Sequence, residues 1–122
     1  MKNAVNWFEI PVKDFDKAKE FYETILGKEM QVMEMAGMKS AFFAADLQNG
    51  IGGCIVQSQG YEPSMKGSLI YLNGGEDLSG PLSKVEAAGG EVLLPKTSIG
   101  ANGFMAHFKD CEGNKVGLHS EK

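Results

Sequence analysis

The sequence is short of several things that would mark a specialised class of protein. Two cysteines, Cys54 and Cys111, are too few for a disulfide framework. The fold must therefore rest on a packed core, and the expected setting is reducing and cytoplasmic. No apolar run approaches the roughly 20 residues that a membrane-spanning helix needs. The N-terminus, one Lys followed by polar residues, shows no secretory signal. Positive charge is also scarce: twelve basic against sixteen acidic residues leave a formal charge of −4. A chain that gripped a nucleic-acid backbone or an anionic membrane would cluster Lys and Arg instead. The glycine-rich stretches NGIGG and NGGED lack the spacing of a phosphate loop, so nothing points to a nucleotide. What is present is the composition of an ordinary soluble domain, 43% hydrophobic and long enough at 122 residues to bury one core.

Along the chain, Val5, Phe8, Ile10 and Val12 beside Trp7 mark a half-buried strand over residues 5–12. Asp14 offers a helix N-cap, Ala18, Phe21, Tyr22 and Ile25 follow at helical spacing, and Gly27 is a natural stop. EMQVMEM and SAFFAAD flank the turn AGMK and predict a hairpin, and NGIGGCIVQ turns into a further strand. After the polar stretch 58–67, which reads as a linker, the order recurs. SLIYLN is a strand; EDLSGPLSKVEAAGG is a helix with Leu78, Leu82 and Val85 as its apolar stripe; EVLLP, GFMAHF and KVGLHS are three more strands. Pro81 is tolerated only in a first turn, which places that helix start near Ser79.

A shift of 63 positions registers one half on the other without a gap. Asp14 falls on Asp77, Gly27 on Gly90, Gly37 on Gly100 and Gly50 on Gly113, so helix starts, helix stops and turns coincide. Apolar positions agree as well, Ile55 with Leu118 among them. The expected architecture is α+β: one domain over 1–122 made of two tandem βαβββ modules, about 1–57 and about 68–122.

Two such modules, with the strings IPVKDFDKAKEFYETILG, VEAAGGEVLLPK and DCEGNKVGL, resemble the vicinal oxygen chelate superfamily. That superfamily contains glyoxalase I, the bleomycin and fosfomycin resistance proteins and the extradiol dioxygenases. NWFEIPV at the start and LHS at the end are similar to a glyoxalase-related subgroup of unassigned activity. The resemblance implies two sheets curled into a half-open, barrel-like cup whose cavity closes within one chain or across a homodimer. It also implies, in the metal-dependent members, a divalent ion held by first-strand and fourth-strand ligands of each module. Carried onto this chain, those positions are Trp7, Cys54, Ile70 and Gly117. Trp, Ile and Gly cannot coordinate an ion, and one thiol is short of the about three protein ligands of a catalytic metal. No metal or other cofactor is therefore expected at the usual place.

Side chains two apart on a strand share a face. If Trp7 looks into a cavity, Glu9 does too; likewise His119 beside Gly117 and Val56 beside Cys54. Three uses of such a pocket follow. Glu9 can be a general base and His119 a second acid–base group on a small carbonyl substrate, in lyase or isomerase chemistry. Glu9 and His119 can hold a displaced metal. Or the cavity only binds a small molecule, with Trp7 stacking on it and Glu9 pairing with its cation, as in sequestration proteins of the bleomycin-resistance type. Trp7, Cys54, Val56, Ile70 and Gly117 are the expected pocket walls. The bland alternatives are a Glu9 satisfied by a backbone N–H or by Lys115, and a solvent-exposed His119. His107 reads as an interior or edge histidine, Tyr71 as facing a helix, Cys54 as a small buried apolar residue, and the methionines around the first hairpin as packing. A small-molecule ligand and a second copy of the chain are the expected partners, with no nucleic acid and no membrane.

Overall fold

The computed structural model describes residues 2–122. The first half runs β1 (Trp7–Pro11), α1 (Phe15–Leu26), β2 (Gln31–Met35), β3 (Met38–Phe42) and β4 (Gly52–Gln57). The second runs β5 (Tyr71–Asn73), α2 (Ser79–Leu82), β6 (Glu91–Ser98), β7 (Phe104–Lys109) and β8 (Lys115–Ser120). Each half makes one four-stranded sheet, ordered β1-β4-β3-β2 and β5-β8-β7-β6, with the first and last strands of each module parallel. The order is the same in both, so the duplicated βαβββ plan is present. No helix among the described residues is long and apolar enough to cross a membrane.

Local chemistry explains the elements. Asp14 caps α1 by accepting from the Lys17 N–H at 3.3 Å, and Gly27 ends it with φ 68°, a left-handed conformation that glycine adopts without a Cβ clash. Ala36 and Gly37 both carry positive φ, 51° and 77°, and close the β2–β3 hairpin in two residues, the geometry that suits the right-handed twist of paired strands. The second helix is shorter than its apolar stripe predicts: only Ser79–Leu82 is regular. Gly80 is a poor helix former and Pro81 has no N–H to give. Beyond it the chain tightens, with the Lys84 and Val85 N–H groups reaching back three residues to Pro81 and Leu82. Leu78 and Val85 are nonetheless fully buried.

One core joins the two sheets. From α1, Phe21 and Tyr22 reach Phe108 of the second sheet at ring separations of 6.0 and 6.5 Å, and Tyr22 meets Phe43 of the first half at 5.2 Å. Ile10, Ala41 and Ile55 point into this core from the first sheet, and Leu72, Ala106 and Leu118 from the second. The opposite face of each sheet is open. At the seam, the buried Asp110 carboxyl accepts the Tyr22 hydroxyl at 2.6 Å and the Asn114 side-chain amide at 3.0 Å. Asn114 in turn donates to the Pro11 carbonyl at 2.8 Å and accepts the Ser64 N–H at 2.9 Å. Burial and the neighbouring Asp110 push the Tyr22 phenol well above its usual range.

The sheets correct the gapless 63-residue register. It carries core-facing Gly53 and Ile55 onto core-facing Val116 and Leu118, as expected. It also carries Phe8, which packs on the core, onto Tyr71, which is 45% exposed beside buried Leu72. Alternation along β5 is therefore one residue out of step, and a one-residue slip turns every side chain to the other face. Ile70, expected in the pocket wall, packs partly against the core while still bordering a cleft with Glu9, and Tyr71, expected against a helix, stands on the open face.

Replacing Tyr22 by Phe removes the hydroxyl from a buried carboxyl and should cost about 2 kcal/mol, the scale of a hydrogen bond to a charged group. Urea unfolding of the two proteins measures it; a loss below about 0.5 kcal/mol would show that Asp110 does not depend on this bond.

Candidate functional site

The open face of the first sheet is built by β1, β3 and β4. Trp7 lies opposite Gly52 and Glu9 opposite Cys54 across the parallel β1–β4 pair. Glycine at 52 makes room for the indole, since a Cβ there would meet the Trp7 ring at 3.2 Å and the Leu47 side chain at 2.5 Å. Trp7 is 38% exposed and sets its ring edge-on to Phe42, 5.3 Å away. Glu9, two residues on, shares that face, is exposed, and its Oε1 accepts the Tyr61 hydroxyl at 2.9 Å. The carboxylate raises the Tyr61 phenol pKa, chiefly through this hydrogen bond. Tyr61 comes from the linker; its only mark in the sequence is an aromatic residue inside an otherwise polar stretch.

Cys54 and Val56 lie beneath this surface, both fully buried. Burial pushes the Cys54 thiol up and the charge of Glu9 adds to it, with Ser40 and Trp7 opposing. The thiol is therefore protonated near neutral pH and unsuited to nucleophilic attack. The partial burial that a general base calls for is absent around Glu9 in the single chain.

The open face of the second sheet carries Tyr71, His107, His119 and Gly117. The Tyr71 hydroxyl lies 2.7 Å from His107 Nε2, and the ring lies against Gly117, where a Cβ would come within 2.5 Å of it. Burial first, and then the charge of Lys115, lower the His107 pKa. His119 is engaged elsewhere, its Nε2 2.7 Å from the Asn102 carbonyl oxygen. Glu9 borders a cleft of about 220 Å³ at the seam with Ile70, Asn114 and Lys115, whereas His119 borders a separate cleft with Asn73 and Glu76. The expected Glu9–His119 pair is thus divided between two clefts.

The residues present do not fit a divalent ion of the kind the fold resemblance implies. Of the four carried-over ligand positions, Trp7 and Ile70 bear no donor, Gly117 has no side chain, and Cys54 is a buried thiol whose pKa burial raises. Among the described residues no three His, Cys, Asp or Glu side chains stand together as ligands, which also leaves a displaced metal between Glu9 and His119 without a donor set.

Comparison with known proteins gives a consistent picture. A sequence model of the Glyoxalase/Bleomycin resistance protein/Dioxygenase superfamily matches residues 4–118. No curated protein sequence matches significantly. Among solved structures, an E144Q mutant of glyoxalase I from Zea mays superposes with TM-score 0.69 at 20% identity, covering 95% of this chain and 46% of that one. A glyoxalase-related enzyme from Fulvimarina pelagi gives 0.68 at 15% identity, covering 97% and 87%. The genomically encoded fosfomycin resistance protein FosX from Listeria monocytogenes gives 0.65 at 18%, covering 100% and 93%. At these identities the likeness shows the fold alone, and the chain spans about half the length of the maize enzyme.

Both thiols should react slowly with iodoacetamide at pH 7.5 in the folded protein. Burial, with Asp110 and Glu112 beside it, pushes Cys111 up to about 11, so its thiolate becomes abundant only as the pH approaches that value. Denaturation in urea should restore the rate of an ordinary thiol of pKa about 8.5. Labelling followed by mass spectrometry measures this, and rapid modification of either cysteine in the folded state at pH 7.5 would contradict it.

Proposed function

The chain belongs to the glyoxalase/bleomycin resistance protein/dioxygenase superfamily, and on that premise we propose that it binds a small aromatic or apolar molecule carrying a positive charge, on the open face of the first sheet. The observation that carries this reading is the exposed indole of Trp7 beside the exposed carboxylate of Glu9, which Tyr61 holds in place. An aromatic face attracts a cation and stacks on a planar ring, and Glu9 supplies the counter-charge. The protonated Cys54 and buried Val56 floor the surface without offering a reactive group. The reading asks for no metal. It includes a homodimer, since Val32, Met33 and Met35 are exposed apolar side chains on β2, the edge of the same sheet opposite β1.

A second reading makes Glu9 an acid–base group acting on a small carbonyl compound, in glyoxalase-related lyase or isomerase chemistry. One observation favours it: the Tyr61 hydroxyl, 2.9 Å from Glu9 Oε1, fixes one carboxylate oxygen and leaves Oε2 to take a substrate proton.

Trp7 is the chain's single tryptophan, so intrinsic fluorescence reports directly on the site. Titration with benzyltrimethylammonium should quench it saturably, and Glu9→Gln should weaken binding about tenfold, the worth of one charge pair. Absence of saturable quenching would remove the binding reading. Turnover of methylglyoxal by the native protein, abolished in Glu9→Gln, would establish the catalytic one instead.

A further inference from the structure

We propose that the open face of the second sheet is a binding site for a small organic carboxylate, received by the Tyr71–His107 pair and Lys115. Tyr71 and His107 lie on the other sheet from Trp7 and Glu9, while Lys115 also borders the seam cleft that Glu9 lines. Gly117 is the foundation: without a Cβ it lets the Tyr71 ring lie against β8, which sets the hydroxyl 2.7 Å from His107 Nε2. Between them a phenol and a neutral imidazole have two protons, and the contact uses one. If Tyr71 donates to Nε2, the imidazole keeps its Nδ1–H; if Nε2–H donates to Tyr71, the phenol O–H is left over. Its only other partner is the thioether of Met105 at 3.6 Å, a weak acceptor. Either tautomer therefore leaves a donor unspent at a half-exposed position. Burial and Lys115 both disfavour the imidazolium, which keeps His107 neutral.

Charge around the pair is mixed, with Glu76 and Glu121 bordering the cleft beside Tyr71 and Glu9 and Glu62 bordering the one beside Lys115. Glu91 opposite Lys109 is ion-paired with it at 3.3 Å. Lys115, two residues from Gly117 along β8 and so on the same face, is in no ion pair among the described residues. An unspent neutral donor and an unpaired ammonium on one face match the two oxygens of a carboxylate.

The test uses benzoate, with methyl benzoate as the uncharged control, and follows the imidazole Cε1–Hε1 signals by NMR. Only two histidines, His107 and His119, contribute, and a His119→Gln protein assigns them. Benzoate should shift the His107 signal saturably while methyl benzoate does not. Lys115→Gln and Tyr71→Phe should each weaken benzoate about tenfold, as loss of one charge-assisted contact does. Tyr71→Phe is read only if its thermal midpoint matches the parent; otherwise Lys115→Gln decides. No saturable shift at His107, or an unchanged affinity in Lys115→Gln, overturns the proposal. Because Trp7 reports the cation site separately, failure here leaves that site standing, and the reverse holds too.

Discussion

The fold turns on a buried carboxyl. Asp110, 2% exposed, accepts the Tyr22 hydroxyl, the Asn114 amide and the backbone N–H groups of Glu112 and Asn114. Through Tyr22 it holds the helix of the first module, and through Asn114 it holds the end of β1 and the linker at Ser64. Four separate stretches of chain meet at the Asp110–Asn114 pair. Such a group is costly unless fully hydrogen-bonded, so any sliding of one module past the other would expose that cost at once. The apolar contacts of Phe21, Tyr22 and Phe108 supply the attraction between the sheets; Asp110 supplies the single arrangement in which they fit.

That arrangement decides what the open faces look like. With α1 and the aromatic core packed between the sheets, the opposite faces keep exposed and half-exposed side chains. The two are not alike. The first shows an indole, a carboxylate and a linker phenol; the second shows a phenol–imidazole pair, an ammonium with no ion-pair partner among the described residues, and a glycine cradle. In a duplicated fold the backbone repeats while the side chains diverge, and here they diverge in charge. One device recurs on both faces: Gly52 and Gly117 lack a Cβ, and an aromatic ring, Trp7 or Tyr71, lies over each.

Much of this was legible in the residues. Asp14 and Gly27 mark the limits of α1, the 63-residue recurrence marks the two modules, and alternation from Trp7 places Glu9 on the open face. Three things were not. The gapless register slips by one at β5, where the strand is only three residues long and offers too little alternation to fix its own phase; Tyr71 was therefore turned inward and Ile70 outward. The regular part of α2 is one turn because Gly80 and Pro81 interrupt a bonding pattern that the apolar stripe alone does not report. Tyr61 and the separation of Glu9 from His119 depend on how the linker and the two sheets lie in space, which no local pattern encodes.

The most direct measurement is a crystal structure of the protein with benzyltrimethylammonium bound. Binding at the Trp7–Glu9 surface predicts the benzyl ring against the Trp7 indole and the ammonium beside the Glu9 carboxylate, with Tyr61 still on Oε1. Ligand density in the apolar cleft lined by Val5, Phe8 and Leu69, with Trp7 and Glu9 left uncovered, would contradict it.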